Sequence, residues 1–343
     1  MTGAAAPVTV AEFATGYLST RILADGPDHL WIRSPGAARD PGFTGVPPAV
    51  RAALGAAAGP RPGARLVLGT EGTGPDGGSV AERRYRVESP YSLGHVLAGP
   101  QAAPRQWDAL PELLGHCGRL LGEVHTRAPA PAALAAPRGS GRLADWLAGR
   151  AAPGHSGRLR DLARGRLGEA RLDRAARWCS SLNSRTGPQV LLLGGLTLGS
   201  VVPTRDGRGC HVLAGEELAR GPAGYDLGWA LGELAEFRLL HFADGAAEDT
   251  ARHCAKAGAA LLHGYRAAAG RETPAADPDA LARVAVLRIL AHAHDFAAFV
   301  QWTDQLSLYL GLLADLIDHP RAALEAATGG QTAPGPTHPT EDQ

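Results

Sequence analysis

Two short segments at a fixed spacing constrain the fold of this chain more than any other feature. Residues 193–200 read LGGLTLGS, an apolar residue followed by a loop with three glycines, and residues 212–216 read VLAGE, an apolar run that ends in an acid. The run YDL follows at 225–227, and from Leu227 onward apolar residues recur at three- and four-residue steps. This periodicity predicts an amphipathic helix directly after the two loops.

In length, framing and glycine placement, the first segment resembles the catalytic loop His-Gly-Asp-Leu-His-x-Gly-Asn of the aminoglycoside phosphotransferase and choline kinase-like family. The second segment stands where that family has Val-Ile-Asp-Trp-Glu, and Gly221 with YDL at 225–227 matches its Gly-Asp-Pro-x-Tyr-Asp-Leu ending. The resemblance runs from residue 15 to 325 and is specific in the block 189–231. It implies an α+β chain with a bilobal protein kinase-like fold, in which a small antiparallel-sheet N-lobe precedes a mainly helical C-lobe.

The same resemblance implies a division of the chain. The β-rich N-lobe covers residues 1–88, the hinge covers 89–94 and the helical C-lobe covers 95–328. The C-lobe contains the degenerate catalytic loop 193–200 and a remnant of the metal-binding loop at 212–227. The polar, proline-rich residues 329–343 predict a disordered tail.

Local patterns add the secondary structure. Alternating apolar runs predict N-lobe strands at 17–23, 29–34, 65–69 and 82–88. Helical periodicity predicts helices at 110–124, 246–269, 279–302 and 304–325. The Ala/Pro/Gly/Arg-rich stretch 127–166 indicates a loose insert with one short helix at 143–147.

The residues that would perform phosphoryl transfer are missing. The resemblance puts the catalytic base at Gly195 and the two magnesium ligands at Ser200 and Ala214, and none of these side chains can ionise. A general base contributes roughly 10² to 10⁴ in rate, and a metal ion contributes several kcal/mol more. We therefore expect no catalytic residue in the degenerate loop, including its first residue Leu193, and no resident cofactor.

The nucleotide side is equally depleted. The resemblance implies a lysine on a central N-lobe strand, but the chain has one lysine, Lys256, which lies far beyond the catalytic loop. Arg33 is the nearest candidate for its place, either as a guanidinium that grips a ligand phosphate or as a solvated charge at a strand end. Residues 46–54, where a helix would offer the partner glutamate, contain no acid. Glu88, before the hinge, is a further cofactor-side candidate, and the Gly-x-Gly-x-x-Gly pattern at 72–77 is more typical of an exposed hairpin turn.

Five polar side chains remain candidates for a ligand site. Asp226 resembles the structural acid that braces the family's catalytic loop through hydrogen bonds to its backbone. Glu216 and Glu217 stand at the metal-binding end of the cleft, where they either recruit a cation or form a solvated loop pair. Thr197 and Ser200 have no activating base within the motif, so we interpret them as hydrogen-bond donors to a ligand.

The histidines favour structural roles. On a helix, His292 and His294 point about 200° apart and cannot share an ion, and His292 with Asp295 would make a poor two-ligand site. We expect a solvent-facing or substrate-lobe surface role for this stretch. His125, at the end of the 110–124 helix, is expected to be a packed structural histidine.

Charge and cysteine content exclude several classes of protein. The 34 basic and 34 acidic residues give a formal net charge of zero, so nothing favours nucleic acid or a membrane surface as a partner. Residues 1–20 lack the features of a signal peptide, and no apolar run approaches about 18 residues. The four cysteines form no Cys-x-x-Cys pair, which predicts buried reduced thiols in a cytoplasmic protein.

The combined expectation is a pseudokinase that binds a small molecule, a peptide or a partner protein in its cleft or on its C-lobe. Analogy alone suggests a natural-product pathway of the actinobacterial type. The alternative is an enzyme on the same fold. It would be either a residual ATP- and magnesium-dependent phosphotransferase of a small-molecule or peptide hydroxyl that uses Glu216 and Asp226 in new roles, or a cleft repurposed for non-phosphoryl chemistry.

Overall fold

The computed structural model describes residues 8–58, 62–73, 80–99, 104–150, 154–240, 247–270 and 277–330. The strands in these ranges are β1 (Thr9–Ala14), β2 (Leu18–Asp25), β3 (Asp28–Pro35), β4 (Ala64–Val67), β5 (Thr70–Thr73), β6 (Val80–Val87), β7 (Val190–Leu192), β8 (Val201–Pro203), β9 (Cys210–Leu213) and β10 (Ala219–Gly221). The helices are α1 (Pro48–Ala57), α2 (Leu93–Ala98), α3 (Pro104–Arg127), α4 (Arg138–Leu147), α5 (His155–Leu167), α6 (Glu169–Asn183), α7 (Gly224–Leu240), α8 (Ala247–Ala269), α9 (Pro278–Phe299), α10 (Gln305–Asp318) and α11 (Arg321–Thr328).

The N-lobe is a five-stranded antiparallel sheet in the order β1-β2-β3-β6-β5. Its inner face buries Ile22, Trp31, Tyr85 and Val87, which neighbouring strands bring to the same side of the sheet. This sheet, followed by a mainly helical remainder, confirms the α+β, kinase-like fold class. The sequence analysis missed β1 and β5, and the predicted turn between β5 and β6 falls largely on residues 74–79, outside the described residues.

The prediction that residues 65–69 belong to the N-lobe sheet is wrong. Strand β4 lies parallel to β9 in a separate three-stranded sheet of order β4-β9-β8. The Val67 carbonyl accepts a hydrogen bond from the Ala214 amide at 2.9 Å, which extends this pairing by one residue beyond β9. Alternation identifies a strand but does not identify its partner, because pairing depends on contacts distant in sequence.

The C-lobe is built on the predicted helix faces. The apolar positions of α3 from Leu110 to Val124 are all buried, which confirms the predicted helix. Helix α3 packs closely against α8 because Gly118 presents only backbone there. A Cβ at Gly118 would overlap the Leu261 carbonyl oxygen. Glycine within a helix is unfavourable by roughly 1 kcal/mol, so this close approach explains its presence.

The stretch 127–166 is not the loose insert that its composition indicated. It forms α4 and most of α5, which pack against α6, α9 and α10. Leu143, Trp146, Leu147 and Leu159 are buried at helical spacing and join the main core. Helix α6 was also missed, and Pro320 separates α10 from α11 where a single helix was predicted at 304–325.

All four cysteines are free and buried, as predicted. Within the described ranges, helices long enough to cross a bilayer are too polar to do so. The predicted disordered tail lies outside the described residues from residue 331 onward.

Candidate functional site

A cleft of about 400 Å³ lies between the N-lobe sheet and the C-lobe. The N-lobe wall comes from β1, β2 and β3, and the floor comes from the degenerate loop 193–200 and residues 212–217. Helices α4, α7 and α9 complete the C-lobe wall. The volume falls within the range of about 300 to 1,000 Å³ that is typical of small-molecule sites.

Two buried acids hold the backbone of the degenerate loop. Asp226 is fully buried at the start of α7 and accepts hydrogen bonds from the amides of Leu193 at 2.8 Å and Gly195 at 2.7 Å. Glu233, two turns further along the same face, accepts from the Leu198 amide at 2.9 Å. His125 Nε2 lies 3.2 Å from the Asp226 carboxylate and its Nδ1 lies 3.2 Å from the Tyr265 hydroxyl, so this histidine is packed. Asp226 therefore braces the loop, and its oxygens are engaged in doing so.

The indole of Trp229 packs against Gly195, the position that the resemblance aligns with the family's catalytic base. Gly195 has φ +102°, and a Cβ built there would lie 2.8 Å from Trp229 Cδ1. Gly194 has φ +94°, and its Cβ would overlap the Glu217 carbonyl oxygen. Side-chain-bearing residues rarely adopt such φ values, so this loop conformation requires both glycines. Trp229 itself is nearly buried and stacks on Tyr225, with ring centroids 5.0 Å apart.

Ser200 and Ala214, which the resemblance aligns with the family's magnesium ligands, also have protein partners. Ser200 Oγ accepts from the Thr197 hydroxyl at 3.2 Å and lies 3.5 Å from Arg33 Nη1. Ala214 is buried, and its carbonyl accepts from the Tyr85 hydroxyl at 3.3 Å. Thr197 and Ser200 thus bond to each other within the loop.

Arg33 and Glu216 form a buried ion pair between the lobes. Arg33 Nη1 lies 3.3 Å from both carboxylate oxygens of Glu216, and its Nη2 donates to the Gly199 carbonyl at 2.9 Å. Their side chains are 7% and 11% exposed, so the interpretation of Arg33 as a solvated strand-end charge is wrong. Tyr85 donates to Glu216 at 2.8 Å. Burial and the neighbouring Glu216 raise the pKa of Tyr85, which keeps this hydroxyl a donor.

A second polar network connects the lobes, and we call its members Tyr17, Arg39, Arg142, Glu217 and Asp295 the lobe bridge. Glu217 accepts from the Tyr17 hydroxyl at 2.8 Å and pairs with Arg39 at 2.7 Å. Arg142 donates to the Tyr17 oxygen at 2.6 Å and pairs with Asp295 at 2.7 Å. The interpretation of Glu216 and Glu217 as a solvated loop pair is therefore wrong.

The turn between β1 and β2 is fixed on the C-lobe beside the lobe bridge. The Gly16 amide donates to the Phe299 carbonyl at the end of α9, at 2.7 Å. The rings of Tyr17 and Phe299 are in contact, with centroids 5.1 Å apart. This turn therefore covers one end of the cleft.

The backbone carbonyls of residues 88 and 89, at the start of the predicted hinge, are in hydrogen-bond contact with N-lobe side chains. The fully buried Trp31 donates its indole N–H to the Ser89 carbonyl at 3.0 Å, and His29 Nδ1 lies 3.3 Å from the Glu88 carbonyl. The Glu88 carboxylate points to the β8–β9 hairpin, where it accepts from the Arg205 amide at 3.0 Å and lies 3.4 Å from His211 Nε2.

The stretch 292–295 is less exposed than predicted. His294 is buried and its Nδ1 lies 2.8 Å from an Asp295 carboxylate oxygen. Burial acts to raise the pKa of Asp295, but Arg142 and His294 outweigh it and hold that pKa at about 2. His292 lines the cleft with its Nδ1 against Glu236. Within the described residues, no group of three or more histidines, cysteines or acids is arranged to hold a metal ion.

The loop and Asp226 were predictable from the sequence, but most of the side chains that surround them were not. Tyr17, Arg39, Tyr85 and Arg142 belong to no motif and lie in other parts of the chain. Trp229 lies three residues after Asp226 on the same helix, and this spacing was the available signal that it faces the loop.

Comparisons with known proteins agree with this architecture. Neither a scan against protein-family models nor a search of curated proteins gives a match. Among solved structures, a choline/ethanolamine kinase family protein from Mesorhizobium loti is 14% identical, with a TM-score of 0.51 over 96% of this chain and 95% of that one. A glucosamine kinase in complex with glucosamine, ADP and inorganic phosphate is 18% identical, with a TM-score of 0.50 over 92% of this chain and 76% of that one. At these identities the comparison defines the fold alone: the chain has the bilobal, protein kinase-like fold of these kinases.

Proposed function

We propose that this chain is a pseudokinase, a kinase-fold protein that binds a ligand in its cleft without transferring phosphate. The observation that carries the proposal is the occupation of the former catalytic positions by the chain's own side chains. The Trp229 indole packs on Gly195, and Arg33, which is paired with Glu216, contacts the Ser200 hydroxyl. The loss of the acids is thus accompanied by contacts that use the vacated space.

The metal end of the cleft does not fit magnesium. Mg²⁺ prefers octahedral oxygen coordination, usually with one or two carboxylates and several waters. The carboxylates at this end, Glu216 and Glu217, are paired with Arg33 and Arg39 and accept from tyrosine hydroxyls. Binding of a cation there would leave two nearly buried arginines without their counter-charges, which costs several kcal/mol for each buried charge.

The nucleotide side offers few free groups. A base bound at the hinge needs polar backbone partners, but the Ser89 and Glu88 carbonyls already have partners in Trp31 and His29. The charge of Arg33 is neutralised by Glu216, and therefore it is a poor phosphate anchor. These contacts also argue against a residual kinase, because Glu216 and Asp226 would have to leave their present partners to act.

The remaining cleft supports a binding role for a small molecule. A space of about 400 Å³ remains beside Trp229, Thr197 and His292. It remains although the Arg33–Glu216 pair and the lobe bridge are both formed. A peptide or partner protein would bind outside this space, on the C-lobe. The assignment to natural-product biosynthesis rests on analogy with the family and is part of the proposal.

Calorimetric titration of the full-length protein with ATP and magnesium tests the proposal. We expect no magnesium-dependent heat and no ADP release above a protein-free blank. Matched variants are Glu216→Ala in the cleft and Glu248→Ala on the exposed start of α8. Magnesium-dependent ATP hydrolysis that Glu216→Ala abolishes and Glu248→Ala retains would contradict it.

A further inference from the structure

Glu236 and His292 form a carboxylate–imidazole pair on the C-lobe wall of the cleft. His292 extends from α9 and its side chain is 40% exposed, whereas Glu236 on α7 lies behind it and is 8% exposed. His292 Nδ1 is in hydrogen-bond contact with Glu236 Oε1. Neither residue belongs to the two segments that resemble a catalytic loop.

The surroundings keep Glu236 ionised. Tyr309 on α10 donates to Oε1 at 2.6 Å, and Arg288 Nη1 lies 3.4 Å from Oε2. Burial acts to raise the pKa of Glu236, but His292 and Arg288 outweigh it and lower that pKa. Glu233 also faces the cluster from α7, and it pairs with Arg288 at 3.8 Å.

An ionised carboxylate fixes the tautomer of the histidine. Because a carboxylate only accepts hydrogen bonds, the neutral imidazole must carry its hydrogen on Nδ1. Nε2 then presents a lone pair. In the part of the chain that the structure describes, Nε2 has no hydrogen-bond partner, and it is not among the buried unpaired atoms. The imidazole ring of His292 packs edge-on against the ring of Tyr309, and the two ring centroids lie 6.0 Å apart.

The charges around Nε2 select a neutral hydroxyl. An anion would meet a lone pair, with the carboxylates of Glu236 and Glu233 behind it. An ammonium group would find no free counter-charge, because Glu236 and Glu233 are paired with Arg288, and Asp295 is paired with Arg142. A hydroxyl group donates to the lone pair without either cost.

We propose that His292 is a hydrogen-bond acceptor in this cleft and binds the hydroxyl of a small alcohol through Nε2. The hydroxyl keeps its proton and donates it in a hydrogen bond to the Nε2 lone pair, while Nδ1–H stays bonded to Glu236. This assigns the cleft a hydroxyl-binding site that needs neither nucleotide nor metal. It goes beyond the proposed pseudokinase function and does not depend on it.

Long-range ¹H–¹⁵N spectra of the histidine-labelled full-length protein test the assignment, with His292→Gln to identify the signals. At a pH where the ring is neutral, we expect the Nδ1–H tautomer. Glu236→Gln should shift His292 to the Nε2–H tautomer, and Glu248→Gln should leave it unchanged. An Nε2–H tautomer of His292 in the unmodified protein would overturn the proposal. This measurement needs no substitution of the buried Glu236, so it stands even where that variant does not fold.

The ligand class is tested in the same spectra with glycerol, acetate and tetramethylammonium chloride at equal concentrations. We expect glycerol to shift the Nε2 resonance of His292, and the two ions to leave it in place. His155, outside the cleft, is the control for solvent effects. A larger shift with acetate or tetramethylammonium, or a glycerol shift that is no larger than at His155, would refute the hydroxyl assignment.

Discussion

Substitution of Gly195 by alanine adds one methyl group at the centre of the degenerate loop. Gly195 has φ +102°, a value that alanine adopts only with strain. The added Cβ would lie 2.8, 2.9 and 3.1 Å from three atoms of the Trp229 indole, which is itself nearly buried. The indole or the loop must therefore move, although the loop amides are anchored to Asp226.

The destabilisation expected for Gly195→Ala has two contributions. A strained backbone conformation costs about 1 to 3 kcal/mol. Overpacking of a filled core costs about 1 to 3 kcal/mol more. We therefore expect Gly195→Ala to lower the free energy of unfolding by about 2 to 6 kcal/mol, the sum of these two ranges.

Gly199 provides a matched control in the same loop. Its φ is not positive, and the nearest atom to an added Cβ is Thr197 Oγ1 at 3.8 Å, an ordinary contact. Gly199→Ala should change stability by less than about 1 kcal/mol, since alanine fits there and restricts the unfolded chain.

Urea unfolding, followed by tryptophan fluorescence and by circular dichroism, measures both variants. The expected result is a clearly lower midpoint for Gly195→Ala and a midpoint near that of the parent for Gly199→Ala. Equal midpoints for the two variants would refute the claim that Trp229 and the positive φ together require glycine at position 195.

Three further predictions concern the acids and the lobe bridge. Asp226→Asn replaces a carboxylate that accepts two backbone amides and should cost about 2 to 4 kcal/mol in urea unfolding, because one buried amide loses its acceptor. Tyr17→Phe breaks the contacts to Glu217 and Arg142 and should cost about 1 to 2 kcal/mol, measured as a lower thermal midpoint. The pKa of Asp295 falls from 3.8 to about 2 on folding, so it stabilises the fold above pH 3.8 and this stabilisation, about 2 kcal/mol, is lost as the pH falls through 2. Acid titrations should show this loss in the parent but not in Asp295→Asn.

The parts of the fold that were predictable are those determined by local sequence. The α3 face follows from apolar residues at three- and four-residue steps, and Asp226 follows from a short motif. Helix α5 was missed because glycines at 157 and 165 suggest a loop, although alanine, leucine and arginine are good helix formers, and α6 begins directly after a further glycine at 168. Leu159 shows the error, since it is fully buried between helices.

The contacts that define the site could not be read from the sequence. Arg33 and Glu216 are 183 residues apart, and Tyr17 and Glu217 are 200 apart. Each residue alone is an ordinary charged or aromatic position, and only the fold shows that these side chains meet in the cleft between the lobes. The absence of acids from residues 193–200 was apparent from the motif, but the side chains that pack around this loop were not.

These contacts also predict how the site responds to repair. Gly195→Asp restores the missing base by sequence, but the new side chain meets the Trp229 indole, and Ser200 and Ala214 still supply no carboxylate for a metal. We expect no ATP-dependent phosphoryl transfer to glucosamine or choline by this variant in an ADP-release assay. The same variant should lose stability at least as much as Gly195→Ala, because it adds a charge beside an apolar ring. Turnover above the parent, with a stable fold, would show that Trp229 does not exclude a base and that the assignment of the metal positions is wrong.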